Sequence, residues 1–244
     1  MPDAPASEPA ASEPAAFELA QAHWPEVERG PRQLLVVPVG SLEQHGPHLP
    51  LDTDTRIAVA VARRACAGRT GVALAPPLPI GASGEHAAFA GTLSIGSEAL
   101  ASCLIELGRH ASLDWPALLL VNGHGGNAEA VRAAVGRLGY EGRACQAWHA
   151  SLPDGDSHAG RSETSIMLAL APETVRLEAA EPGEVRPLGQ ILPLLREQGV
   201  RAVSPNGVLG DPAGASAAEG QQLLASLVAG LGATVDALLD RRPA

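Results

Sequence analysis

Lysine is missing from this chain: all 17 basic residues are arginine, which we read as coding bias and not as mechanism. Aromatic residues make up only 2%, so any core has to be built from Ala, Val, Leu and Ile. Charge is sparse at 18%, and acids outnumber bases 27 to 17, a net charge of −10. A chain this acidic repels phosphate backbones, so nucleic acid is not an expected partner. Cysteine is limited to Cys66, Cys103 and Cys145. An odd count at wide spacing excludes a disulfide framework and a CxxC zinc site, and buried structural thiols are the expectation. No run of 18 apolar residues occurs, so no membrane span is expected. The N-terminus lacks a basic start followed by an apolar stretch, so no signal peptide is visible and a cytoplasmic protein is expected.

What is present is one domain's worth of chain. Residues 1–16 are Ala, Pro, Ser and Glu, a composition that cannot bury a core and is expected to be a disordered tail. Residues 17–244 are expected to form a single domain. Short apolar runs at 33–39, 72–76, 117–121 and 143–148 read as strands. Between and after them, 54–67, 97–111, 127–138, 162–170 and 219–239 read as helices. Strand–helix alternation of this kind predicts an α/β fold: a mostly parallel sheet with helices on both faces. In such sheets the active site lies beyond the carboxyl ends of the strands.

The polar motifs sit at those ends. After the first long strand comes GSLEQHGPHLPLDTDT, with Glu43, His45 and Asp54 as competent metal ligands. Glu43 and His45 are two apart, so an extended segment points both the same way. Carboxylate together with imidazole suits zinc, manganese or iron better than calcium. Asp54 alone would read as a helix N-cap and Glu43 alone as a solvated acid; the cluster within one loop is what favours a metal. After the 117–121 strand comes NGHGGN. Its spacing is not GxGxxG, and His124 occupies the loop centre where a phosphate cradle wants bare backbone, so a metal ligand is the better reading. In the third motif, HAGRSET, Glu163 opens a helix, where it is either a ligand or a partner for the helix dipole. His158 just before it is a candidate acid or base. Ser83 and His86, in a Gly-rich loop, are candidates for the substrate pocket, as is Trp148. His48 is close enough in sequence to support the cluster from behind.

A serine hydrolase would need a G-x-S-x-G elbow, and Gly81-Ala82-Ser83-Gly84 lacks its second glycine. None of the three cysteines has a histidine next to it, so a thiol nucleophile has no sequence support.

At these motifs the chain resembles the creatininase family. The likeness rests on Glu43-Gln-His45-Gly, Leu-Pro-Leu-Asp-Thr-Asp54, Asn-Gly-His124-Gly-Gly-Asn and His158-Ala-Gly-x-x-Glu163-Thr-Ser, and runs from about residue 33 to the last helix. Within the family it most resembles the mycofactocin-system peptidase branch, through GPHLPLDTDTRIA, GASGEHAAFAGTLSIG, VNGHGGN and GVLGDP. The resemblance implies a three-layer α/β/α fold and a pair of divalent metal ions per subunit, Zn2+, Fe2+ or Mn2+. It implies that Asp54 bridges them, that Glu43 and His124 complete one shell, and that His45 and Glu163 complete the other. His158 would protonate the leaving nitrogen. The implied substrate is a ribosomally made, modified precursor peptide that yields its C-terminal Val–Tyr-derived dipeptide, and the implied assembly is a homo-oligomer, a hexamer. Creatininases proper carry a glutamate two residues after the NGH histidine, where this chain has Gly126, which argues against creatinine as substrate. Two other readings stay open: an amidase for a small cyclic or formylated amide, and a non-catalytic metal- or nucleotide-binding module.

Overall fold

Leu34–Val39 is apolar at every position, as a strand covered on both faces has to be, and it becomes β2 at the centre of the sheet. A computed structural model describes residues 15–152 and 155–240. Around β2 lie β1 (Phe17–Glu18), β3 (Val72–Leu74), β4 (Ala117–Asn122) and β5 (Cys145–His149), in the order β1-β3-β2-β4-β5, and every pairing is parallel. The register brings the strand ends level: Val39 pairs with Asn122, and Asn122 with His149. The polar segments that follow β2 and β4 therefore leave the sheet side by side.

Helices cover both faces, giving the expected three layers. On one side α2 (Thr53–Cys66), α5 (Arg161–Leu170) and α8 (Ala217–Leu239) pack through Val61, Ile166, Met167, Leu224 and Leu231. On the other, α3 (Ser97–Ala111) and α4 (Ala128–Tyr140) pack through Leu100, Leu104, Val131 and Leu138. The helices expected from periodicity are all present, within two residues at each end. Unanticipated are α1 (Trp24–Arg29), α6 (Leu188–Gln198) and α7 (Val200–Val203). By length and composition α8 would suit a bilayer crossing, which the search for unbroken apolar runs did not reveal. In this fold its stripe of Leu224, Leu227, Leu231 and Val235 is buried in the core. The tail expected over 1–16 lies, up to residue 14, outside the described residues.

One expectation about the thiols changes. Cys66 and Cys145 are buried, and burial pushes their pKa values up to about 12 and about 11. Cys103 lies on the outer face of α3 and is exposed. Because the thiolate is the nucleophile, the native protein is expected to give up one thiol quickly to a disulfide reagent and two more only on unfolding. A Cys103→Ser protein that still reacts quickly when native would contradict this placement.

Candidate metal centre

The loop after β2 is pinned before it reaches α2. Glu43 N donates to Leu51 O at 2.9 Å and Leu93 N donates to Leu42 O at 2.9 Å. Its ligand candidates thereby point inward: Glu43 and His45 are fully buried, and Asp54, in the first turn of α2, is 3% exposed. The NGHGGN segment acts as a latch. Asn127 Nδ2 donates to Gly40 O at 2.9 Å and Asn127 Oδ1 accepts from Ala82 N at 2.8 Å, joining the ends of β2 and β4 to the loop before α3. Asn122 Nδ2 donates to His124 O at 2.6 Å, which sets the histidine's backbone. The third motif enters through Ala159, the one non-glycine with positive φ (51°) among the described residues. A residue held there costs of order 1–3 kcal/mol, and this turn places His158 and Glu163 on either side of itself.

All five ligand candidates meet. Asp54 takes one histidine on each oxygen: His45 Nε2 at 3.1 Å from Oδ1 and His124 Nδ1 at 3.2 Å from Oδ2. Ser41 Oγ adds a donor to Oδ2 at 2.8 Å. Glu163 Oε2 lies 4.0 Å from His45 Nε2, and Glu43 Oε2 lies 3.0 Å from His124 Nε2. His45 Nδ1 donates to Glu43 O at 3.1 Å, so Nε2 is the nitrogen that faces Asp54 and Glu163; without a metal it carries a proton to Asp54 Oδ1, and it is the nitrogen free to ligate once that proton leaves. Ligand atoms of Glu43, His45 and Asp54 fall within 4.8 Å of one another, as do those of His45, His158 and Glu163, and those of Glu43, His86 and His158.

The electrostatics are those of a site built around cations. Burial pushes Glu43 up to about 7, with His124 pulling the other way and Asp54 adding to the rise. Burial likewise pushes Glu163 up to about 7 against the pull of His45. For His45 and His124 burial opposes the charged form, yet the carboxylates outweigh it. Asp54 dominates in raising His45 to about 10, and Glu43 with Asp54 raises His124 to about 9. Asp54 is held well below the usual carboxylate range by the two imidazoles, despite its burial. Both Glu43 oxygens are buried without a hydrogen-bond partner, because the neighbouring histidines stand close but outside hydrogen-bond geometry. A buried carboxylate in that condition is costly unless it is paired or binds a metal. Mixed nitrogen and oxygen donors fit a pair of zinc, iron or manganese ions.

The pocket candidates fare differently. His86 is 3% exposed yet among the residues that line the cleft, and its Nε2, 3.3 Å from Glu43 Oε1, also backs that candidate ligand. Ser83 is fully buried and lies outside the open cleft. Trp148 does not reach the site: strand alternation on β5 turns its half-buried ring into the core shared by α2, α5 and α8. His48 is buried, with Nε2 2.8 Å from Thr164 Oγ1, tying the first loop to the helix of Glu163. Sequence reasoning missed Glu85, whose Oε1 lies 3.5 Å from His124 Nε2. The signal available was its place beside His86. A Cβ on Gly126 would stand 2.4 Å from each of Glu85 Oε1, His124 Nε2 and Ala82 O. The bare glycine thus gives the Glu85 carboxylate its place. Gly126→Ala is expected to displace His124 and weaken metal binding about 10–100-fold, the range seen when support of a ligand is lost. Competition with a chromogenic chelator measures this, and unchanged affinity would show that the contact yields freely.

Above the cluster lies an open cleft of about 2210 Å³. Asp54, His124, His158 and Glu163 line its floor, and residues of α6 and α8 with Leu152 and Gly155 line its walls. Small-molecule pockets span about 300–1,000 Å³, so this cleft has room for a longer substrate.

Comparisons with known proteins bear on the family and the fold. The family model described as "Creatininase: Creatinine amidohydrolase" matches residues 20–235. A mycofactocin precursor peptide peptidase of Mycobacterium ulcerans is 52% identical over 203 residues, covering 80% of this chain and 81% of that protein. A creatinine amidohydrolase of Pseudomonas putida is 30% identical over 247 residues, covering 86% and 90%. Among solved structures, a Zn–Zn form of a creatininase variant superposes with a TM-score of 0.76 at 26% identity, covering 92% of this chain and 99% of that one. A structure described as "Creatininase Mn" gives 0.73 at 25% identity, covering 92% and 99%. With the family model spanning nearly the whole described fold, the chain belongs to the creatininase family.

Proposed function

We propose that this protein is a metal-dependent peptidase that hydrolyses an amide bond of the modified mycofactocin precursor peptide and releases its C-terminal Val–Tyr-derived dipeptide. The observation that carries the reading is a buried carboxylate–imidazole cluster at the floor of an open cleft with room for a peptide. It is supported by the 52% identity to a protein named for that activity. Glu43, Asp54 and His124 would hold one cation, and His45, Asp54 and Glu163 the other. Bound there, the pair would supply an activated water and polarise the scissile carbonyl. The chain's own residues do the rest. Asp54 holds both imidazoles in place through its two oxygens. His158 donates from Nε2 to Gln44 O at 2.8 Å, which leaves Nδ1 bare on the side of Glu43. That nitrogen takes a proton and hands it to the leaving amine, which cannot depart as an anion. The cleft walls hold the extended peptide over the cluster.

We further place the protein in the cytoplasm as a homo-oligomer, a hexamer by family likeness. Exposed Trp24, Leu113 and Tyr140 support burial between subunits. Incubating metal-analysed protein with the modified and unmodified precursor peptide, followed by mass spectrometry, is expected to show release of the terminal dipeptide. Intact peptide with both metals bound would remove this reading in favour of a small-amide amidase.

A further inference from the structure

We propose that Gln44, the residue between Glu43 and His45, is a positioning residue that sets the ring tautomers of His86 and His158 through its side chain and its backbone carbonyl respectively. The inference rests on the reading of Glu43 as a ligand and of His158 as the proton carrier.

The orientation of the buried Gln44 amide is settled by its partners. Its Oε1 accepts from Gly46 N at 2.8 Å, and its Nε2 donates to Gly207 O at 3.0 Å. An amide turned the other way would set donor against donor and acceptor against acceptor, so the assignment stands. The second hydrogen on Nε2 points to His86 Nδ1 at 2.9 Å. His86 Nδ1 must therefore accept, and the proton of the neutral ring sits on Nε2, facing Glu43 Oε1 at 3.3 Å. The backbone oxygen of Gln44 faces His158 Nε2 at 2.8 Å, and a carbonyl can only accept, so His158 also carries its proton on Nε2. Gln44 Nε2 stands 3.1 Å from His158 Nε2 as well, a contact of two donors with nothing to share, since both amide hydrogens are already engaged.

The two rings lie 4.6 Å apart and carry the same tautomer, yet they present opposite faces to Glu43. His86 turns an N–H toward the carboxylate, close to Oε1 but short of a hydrogen bond. His158 offers a lone pair, which receives the proton destined for the leaving nitrogen. Gly207 gives the amide its place: φ there is +84°, and a Cβ would stand 1.9 Å from Gln44 Oε1.

The test is long-range 15N–1H correlation spectroscopy on the zinc-loaded, histidine-labelled full chain. The expected wild-type result is that His86 and His158 are both Nε2–H. In Gln44→Met the side-chain donor is lost and the backbone carbonyl kept. His86 is then expected to show an Nδ1–H population while His158 stays Nε2–H. Peptide hydrolysis by that variant is expected to fall about 10-fold in kcat with KM within about 2-fold, the scale of losing a ligand's support. An Nδ1–H signal for either ring in wild type, or an unchanged His86 in Gln44→Met, overturns the inference. The wild-type spectrum decides alone if the variant does not fold. Because the spectrum does not depend on hydrolysis, a protein that cuts no precursor peptide but shows both tautomers removes the peptidase reading and leaves this one.

Discussion

Glu43→Gln is expected to lower hydrolysis by about 100–1,000-fold, the scale on which one preorganised electrostatic group is felt, while making the metal-free protein harder to melt. The two effects share one cause. With metals bound, the carboxylate would serve as a ligand, and its loss would weaken the centre. Without them, a buried carboxylate has both oxygens unpartnered. Its pKa rises to about 7 although His124 pulls it down, so the cost of burial exceeds the attraction. The sign follows from linkage: a carboxyl raised in the folded state costs stability as pH climbs from its unfolded value to its folded one, the cost is full above the folded value, and a neutral amide escapes it. At pH 8 the gain is about 1–3 kcal/mol for removing an unsatisfied buried group, or about 2–10 °C in Tm for a domain of this size. At pH 5, close to the unfolded value, Glu43 is protonated in the fold and the difference should shrink to a small part of that. Melting curves of chelator-treated proteins at both pH values decide it. A metal-free variant that melts below wild type at pH 8 would falsify the view of Glu43 as a charge whose burial outweighs its pairing with His124.

The parts of this site carried by local chemistry were readable before the fold was known. Glu43, His45, Asp54, His124 and Glu163 follow strand ends or open helices, and a parallel sheet sends those points to one edge. Gln44 was not readable, because its amide answers to Gly207, 163 residues along the chain. Glu85 was missed for the same reason, since its place against His124 exists only because Gly126 leaves room. Trp148 was misplaced because a half-buried strand shows alternation but not which face meets the site. Helix α6 escaped notice because Pro193 lies inside it, a residue that ordinarily marks a helix boundary. Cys103 was read as buried because a helical stretch alone does not say which side of α3 meets the core. Composition and periodicity thus carried the scaffold and the motifs carried the candidate ligands, while every residue that acts through a distant partner needed the fold.

The same balance of charges predicts that pH moves the metal-free and metal-loaded proteins apart. His45 and His124 are held charged in the metal-free fold, at about 10 and about 9, because neighbouring carboxylates outweigh their burial. A histidine raised above its unfolded value of about 6.5 contributes stability that is whole below that value and is lost as pH climbs through the folded one. Metal-free protein should therefore lose Tm between pH 7 and 9.5, by about 5 °C or more. His48, His86 and His158 work on the acid side. Burial first, then the nearby imidazoles, lowers them, to about 4 for His48, about 3 for His86 and well below the usual range for His158. Their contribution is present above about 6.5 and fades as pH falls, so the metal-free optimum lies near neutrality. Loading reverses the basic side. A ligating imidazole is neutral, so binding expels the protons that His45 and His124 carried, and affinity rises with pH. Tm of the loaded protein should hold or rise from pH 7 to 9.5 while that of the chelated protein falls. Parallel curves would mean that these two histidines do not surrender protons to the metals, and the assignment of both as ligands would have to be abandoned.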